Sequence, residues 1–247
     1  SVQTLTSAST ARNPQTKAWL DQVTLAVFDE GHHYIPTGVW SKAVEMFARA
    51  KLLFVTATPK RADGKPLSYG QELVLGPTVQ WMIDNGYLSR FKYFAPSSDF
   101  DVSDLSVTAS GDYSTTQLRE RVIQSHLVGD MVTQYERHGG GQLAIGFATD
   151  VATAYEMAAA FRDAGVPSQA LCGKTDEQLR ASTLADFEAG KVRVLWNVDL
   201  FDEGFDVPAA QVALLARPTE SLAKFLQQCG RVLRPTGDGG AAVIVDP

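Results

Sequence analysis

Short apolar runs alternate along this chain with stretches whose apolar residues recur every three or four positions. The runs Leu25–Phe28, Leu52–Val55, Phe91–Phe94, Leu143–Phe147, Val192–Leu195, Val212–Leu215 and Ala242–Val245 predict strands. The stretches Val39–Ala50, Thr116–Tyr135, Val151–Ala164, Asp176–Ala189 and Glu220–Val232 predict helices. Alternation of this kind implies crossover units and an α/β fold, a mostly parallel sheet flanked by helices. The strands are apolar at nearly every position, as expected where both faces of a sheet are covered.

One segment breaks the rhythm. Ser97–Thr116 is rich in Ser, Thr and Asp and holds no period, so it reads as a long loop or linker. The units after it suffice for one complete α/β domain. Before it lie only two or three strands, so the N-terminal part reads as a partial domain. The chain carries no internal repeat.

Composition narrows the function classes. Hydrophobic residues make up 45% of the 247 and charged residues 20%, enough for a sizeable core and against global disorder. The net charge of −6 lacks the basic footprint of many nucleic-acid binders. It does not exclude one, since local strips and backbone amides can hold phosphates. The two cysteines, Cys172 and Cys229, have no short spacing, which argues against a disulfide framework or a zinc site and fits a reducing compartment. No apolar run approaches the ~20 residues that span a bilayer. Ser1–Thr10 is too polar for a signal peptide. The expectation is a cytoplasmic protein without membrane contact.

The candidate chemistry begins where the first strand ends. Asp29 and Glu30 follow Leu25–Phe28 directly, and side chains at the carboxyl end of a parallel strand open into the crevice where ligands bind. There one carboxylate can take Mg²⁺ and the other a water. The plainer alternative is a solvated pair capping the turn before Gly31. Far downstream, Gln227, Arg231 and Arg234 fall at i, i+4 and i+7 of the last predicted helix and so share a face. Two guanidinium groups aimed one way suit a phosphoryl group in transfer. Gly230 within that helix implies a packing or approach reason, because glycine there costs ~1 kcal/mol against alanine.

Other segments add weight by order and spacing. Thr56 and Thr58 follow the strand at Leu52–Val55 and could bond the Asp29-Glu30 turn. Gly204 and Asp206 lie in an acidic loop after Val192–Leu195, where the glycine permits close backbone approach and the carboxylate could bond a ribose hydroxyl. Gly173-Lys174-Thr175 imitates the end of a phosphate-binding loop, but that loop needs a glycine where Ser168 stands. It reads as a loop touching a nucleic-acid backbone.

Taken in order, these segments resemble superfamily 2 helicases and translocases of the DExH/DEAD type, most closely phage and bacterial DEAD/DEAH-box helicase proteins. Asp29–His33 is similar to motif II, Thr56–Pro59 to motif III, Gly146–Asp150 to motif IV, Asp202–Pro208 to motif V and Gln227–Arg234 to motif VI. Ser1–Leu5 resembles the segment that contacts the nucleic-acid backbone before motif II. The sequence departs from the family with Gly31 where alanine is usual, and with Trp196 and Asn197 where a small hydroxyl residue is usual.

The resemblance implies two RecA-like domains, with ATP at their interface and nucleic acid across both. Residues 1–90 would be the C-terminal part of a first, partial domain, 91–117 a crossover strand and linker, and 118–247 a complete second domain. Asp29 would hold Mg²⁺, Glu30 would act as catalytic base, and Gln227, Arg231 and Arg234 would sense and stabilise the γ-phosphate. Gly204 and Asp206 would complete the nucleotide site. His32, Thr56 and Thr58 would couple hydrolysis to movement, and Gln3, Thr149 and Thr175 would contact nucleic acid, DNA rather than RNA. The family's phosphate-cradling loop is expected upstream of Ser1 or from a partner, so this chain alone is expected to be inactive. Two other readings stay open: a catalytically inactive nucleic-acid-binding or scaffold module, and the motor of a larger nuclease or restriction assembly.

Overall fold

Leu25–Phe28 forms β1 and pairs in parallel with β2, Lys51–Phe54, in the register Leu25↔Lys51 to Phe28↔Phe54. They belong to a computed structural model that describes residues 2–7, 10, 13–36, 38, 40–57, 67–108, 112–198, 210–235 and 239–247, with the side chain of Gln3 outside that description. The chain divides into two compact units, Ser1–Gly76 and Pro77–Pro247.

In the first unit, β1 and β2 are joined by the short helix α3, Ser41–Glu45, and preceded by α1, Val2–Thr6, and α2, Pro14–Leu20. Helix α2 starts where the Asn13 side chain accepts the Gln15 N–H and Pro14 supplies a fixed φ. One face of the sheet packs into an aromatic core in which Phe28 stacks on Phe54 at 5.0 Å and meets Tyr34 edge-on at 5.0 Å. The expectation of two covered faces fails here. Ala26 and Phe28 are buried, whereas Leu25 and Val27 are 55% and 57% exposed. Adjacent strand residues point to opposite faces, and only the face of Ala26 and Phe28 meets α3 and its neighbours.

The second unit is built on a six-stranded sheet, all parallel. Its strands are β3, Phe91–Phe94; β4, Ala144–Ala148; β5, Ser168–Leu171; β6, Val194–Asn197; β7, Val212–Ala216; and β8, Ala242–Val245, in the order β3-β8-β7-β4-β6-β5. Helices α4, Val79–Asp84; α5, Thr115–Gln124; α6, Leu127–Gln134; α7, Val151–Asp163; α8, Glu177–Glu188; and α9, Leu222–Gly230 flank it. Strands β4, β6, β7 and β8 are buried at every position, with separate apolar clusters on the two faces. Gly146 of β4 sits opposite Trp196 of β6, and a Cβ there would lie 2.2 Å from the indole ring, so this glycine makes room for a fully buried tryptophan.

Several boundaries differ from the sequence expectation. Strand β5 is unforeseen because Ser168 and Gln169 dilute its apolar character; the buried Ser168 hydroxyl donates to Val194 O at 3.0 Å. The single helix expected over Thr116–Tyr135 breaks at Ser125-His126, where Asp99 accepts the His126 N–H at 2.9 Å. Gly76/Pro77 divides the units, so residues 77–90 lie with the second, and β3, placed by sequence in the connection, is an edge strand of the larger sheet. Nor is Ser97–Thr116 a free linker. Phe100 is buried in the core, Val102, Leu105 and Tyr113 pack beside it, and Val107 and Tyr113 form an antiparallel bridge. Apolar residues without a period can still cover a core when the chain is pinned by hydrogen bonds. No helix of the described residues is long and apolar enough to cross a membrane.

Candidate functional site

The parallel ladder between β1 and β2 dictates the turn that follows β1. Val55 N donates to Phe28 O at 2.9 Å, and Gly31 N donates back to Val55 O at 2.8 Å. Only Asp29 and Glu30 lie between these two bonds, and Glu30 takes φ 50° and ψ 50°, the left-handed region. An L-residue with a Cβ is strained there by ~1–2 kcal/mol, and such strain collects at functional sites. Asp29 Oδ1 accepts the Glu30 N–H at 2.9 Å and the side chain stays exposed. Gly31 fits because a Cβ at this position would stand 2.9 Å from Phe54 Cβ.

His32 ties this turn to the end of β2. Its Nδ1 lies 2.8 Å from Thr56 Oγ1 and 3.4 Å from Glu30 Oε2, with the imidazole 9% exposed and the Glu30 side chain 26% exposed. One ring nitrogen thus faces both the carboxylate and the threonine that were expected to work together. Burial, and then the charge of Asp29, push the Tyr34 hydroxyl above its ordinary pKa, which places the Asp29 field on the same small region. Asp29 is an exposed hard oxygen donor. That fits Mg²⁺, which takes one or two carboxylates and completes its shell with water and phosphate.

In the second unit, α9 starts at Ser221, whose hydroxyl oxygen accepts the Lys224 N–H at 3.4 Å. Gln227 lies in the helix and Arg231 follows as its C-terminal cap in helical conformation, so these two share one frame. Arg234 falls outside it. Val232 and Leu233 are drawn into the core, Pro235 disfavours helical backbone at the residue before it, and Ser89 takes over. Ser89 N donates to Leu233 O at 2.8 Å and its hydroxyl to Arg234 O at 3.2 Å. The expected common face of one continuous helix is therefore two helix-borne side chains plus one set by Ser89. A Cβ at Gly230 would meet nothing within 4 Å among the described residues, so no packing against them requires that glycine. Beneath the helix, burial pushes the Cys229 thiol up to about 12, with the charge of Asp246 adding to it.

The remaining expectations divide. Thr149 is 1% exposed, and its hydroxyl lies 3.1 Å from Asp150 Oδ2 and 3.0 Å from Thr153 Oγ1; it braces the start of α7 and offers no surface contact. Thr175 closes its own loop, its Oγ1 accepting the Cys172 N–H at 2.9 Å, while Gly173 and Lys174 are exposed. That hydroxyl, set against the opposing effect of burial, lowers the Cys172 pKa. Trp196 and Asn197 are fully buried, Asn197 donating to Gly146 O at 2.9 Å, so both serve the interior of the sheet. Thr58, Gly204, Asp206 and the side chain of Gln3 lie outside the described residues. Sequence reasoning missed the carboxylate of Asp112, whose partner Thr219 lies 107 positions away and leaves no local signal.

Comparison with known proteins places these features in a family. The model of the helicase conserved C-terminal domain matches residues 124–236, and that of the type III restriction enzyme, res subunit, matches residues 1–61. A 51.5 kDa protein of a Lactococcus phage is 37% identical over 87% of this chain and 47% of its own length. The DNA 3'-5' translocase XPB2 of Sulfurisphaera tokodaii is 26% identical over 85% of this chain and 55% of its own. The chain thus spans about half the length of these relatives. Mycobacterium smegmatis helicase Lhr, solved bound to ssDNA and AMP-PNP, covers 94% of this chain with 30% of its own length, at a TM-score of 0.56 and 17% identity, and shares the fold. The mostly parallel sheets, the motif order and these matches together support a superfamily 2 helicase of the DExH/DEAD type.

Proposed function

We propose that this chain is motor machinery of an ATP-dependent nucleic-acid helicase or translocase. The observation that carries the reading is the turn after β1: a glutamate held in left-handed backbone by the sheet ladder, an exposed aspartate beside it, and His32 linking the glutamate to Thr56. Asp29 holds Mg²⁺, which when bound neutralises phosphate charge. Glu30 orients the attacking water and takes its proton. His32 lies against Glu30 and Thr56 and carries the state of the site to the end of β2, where Thr58 joins it.

From the second unit, Gln227, Arg231 and Arg234 stabilise charge on the γ-phosphate, with Gly204 and Asp206 at the sugar. Such catalysis is positioning and electrostatics more than covalent chemistry. DNA is the favoured track, on the strength of the translocase relative and of the fold shared with Lhr. Gln3 and the exposed loop at Gly173-Lys174, closed by Thr175, approach its backbone, while Thr149 acts from beneath by holding Asp150. The chain contains no Gly-rich loop of the Gly-x-x-x-x-Gly-Lys-Ser/Thr form. Residues 1–247 alone are therefore expected to hydrolyse ATP slowly or not at all.

The test measures ATP hydrolysis with and without single- and double-stranded DNA and RNA, in residues 1–247 and in any longer product of the gene. The expected result is turnover in the longer product, stimulated by nucleic acid and abolished in Glu30→Gln. Nucleic-acid binding with no turnover in either form would replace the motor with a scaffold.

A further inference from the structure

The described residues between β3 and α5 form no regular helix or strand, yet they include a carboxylate with an unusual number of partners. Asp112 is 15% exposed at its side chain. Its Oδ1 accepts from Tyr113 N at 3.0 Å, Thr219 Oγ1 at 2.9 Å and Glu220 N at 3.1 Å. Its Oδ2 is buried and faces Lys224 Nζ at 3.5 Å and Arg217 Nη2 at 3.9 Å. Beside it the Tyr113 hydroxyl donates to Glu220 Oε1 at 2.5 Å. Thr108 donates from both N and Oγ1 to Asp112 O, at 2.9 and 2.7 Å, which fixes the backbone that presents the carboxylate.

Apart from the bond within its own turn, the carboxylate's partners among the described residues all lie in 217–224, the turn that leaves β7 and the first turn of α9. The other end of α9 carries Gln227 and leads into Arg231. Nine helical residues span only ~13 Å, so the helix behaves as one rigid piece, and a tilt at its start moves its end by a comparable amount. A surface tether would need one hydrogen bond. Here three hydrogen bonds and two cations converge on one carboxylate, which fixes the turn in direction as well as position.

We infer that Asp112 is a positioning residue for the phosphate-facing side chains Gln227 and Arg231, acting through the start of α9. This rests on the motor reading of those residues. The segment that joins the sheet to α5 is thereby part of the catalytic apparatus without touching nucleotide.

The test compares Asp112→Ala and Asp112→Asn in the protein whose nucleic-acid-stimulated ATP hydrolysis is measured. A displacement of about 1 Å can cost up to roughly 100-fold in rate, so Asp112→Ala should lower kcat by roughly 10- to 100-fold, with KM for ATP changing less. Asp112→Asn keeps an acceptor oxygen and should recover part of the loss. Hydrogen exchange should quicken at the amides of α9 in Asp112→Ala and stay unchanged in β4 and β7. A kcat equal to that of the unaltered protein, despite a looser α9, would reduce Asp112 to a tether and overturn the inference. Unchanged exchange in α9 would overturn it as well. Absence of turnover in the unaltered protein would instead sink the motor reading, and this role with it.

Discussion

The turn after β1 carries Asp29 and Glu30, and the turn after β4 carries Thr149 and Asp150. Both end a parallel strand and both offer carboxylate at its carboxyl end, yet they are built to opposite purposes. After β4, Asp150 accepts the Thr153 N–H at 2.9 Å and the Thr153 hydroxyl at 2.8 Å. Arg119 donates to Thr153 Oγ1 at 2.9 Å and grips Glu156 with two bonds of 2.7 and 2.6 Å. That carboxylate is consumed in capping α7. After β1 the backbone of Glu30 is strained, and among the described residues the exposed Asp29 side chain accepts one bond, from its neighbour's N–H. An acid after a strand is thus no sign of chemistry by itself. What separates the two is whether the hydrogen bonds around it serve the fold or leave it available.

The comparison breaks most visibly at Asp150. Asp150→Ala removes a helix cap and leaves the Thr149 and Thr153 hydroxyls and the Arg119 side chain short of an acceptor. The expected loss is about 2 kcal/mol of stability. Asp29→Ala removes only an exposed acceptor and should cost well under about 1 kcal/mol. Urea unfolding followed by circular dichroism measures both. Equal losses would show that the two turns do the same structural work.

A smaller effect of opposite sign is expected at Glu30. Glycine adopts left-handed backbone without the Cβ penalty, so Glu30→Gly should raise stability by about 1 kcal/mol while removing the carboxylate proposed as the base. Glu30→Gln keeps the Cβ and the strain, so it should lose hydrolysis without gaining stability. The difference between the two variants isolates the strain from the charge. If glycine proves no more stable than glutamine at this position, the turn is relaxed and its geometry carries no functional message.

Much of this was legible in the sequence, and the limits have physical causes. Strands β4, β7 and β8 announce themselves because burial on both faces demands apolar residues throughout. The same signal at Leu25–Phe28 misleads, since a continuous apolar run does not reveal that Leu25 and Val27 face outward. Residue type and spacing, which a helix or a strand end preserves, single out Asp29, Glu30, Gln227 and Arg231 as candidates. The left-handed backbone of Glu30 was hidden, because it is imposed by Val55 on another strand. Asp112 was hidden for a like reason, its carboxylate acting on residues 217–224 through contacts that no local pattern encodes. The departure of Arg234 from the helix had a local cue in Pro235, which outweighs the i+7 spacing.

The finest test of the contrast is acid titration at Asp150. Burial, the largest single influence, pushes its carboxyl up; the hydrogen bonds from the Thr153 N–H and from the Thr153 and Thr149 hydroxyls, with the charge of Arg119, together outweigh it. The folded pKa therefore lies below the ordinary 3.8. A carboxylate depressed in this way contributes stability that is present above its unfolded pKa and lost as pH falls through the folded value. Asp150→Asn keeps a capping oxygen and cannot ionise, so it removes this term while sparing most of the cap. The unaltered protein should lose melting temperature more steeply than Asp150→Asn as pH drops below 3.8. The difference will be small, because the carboxyl is partly exposed and solvent screens it. Parallel slopes would mean that the network holds Asp150 as a neutral acceptor would, and that shape, with no help from charge, distinguishes the turn after β4 from the turn after β1.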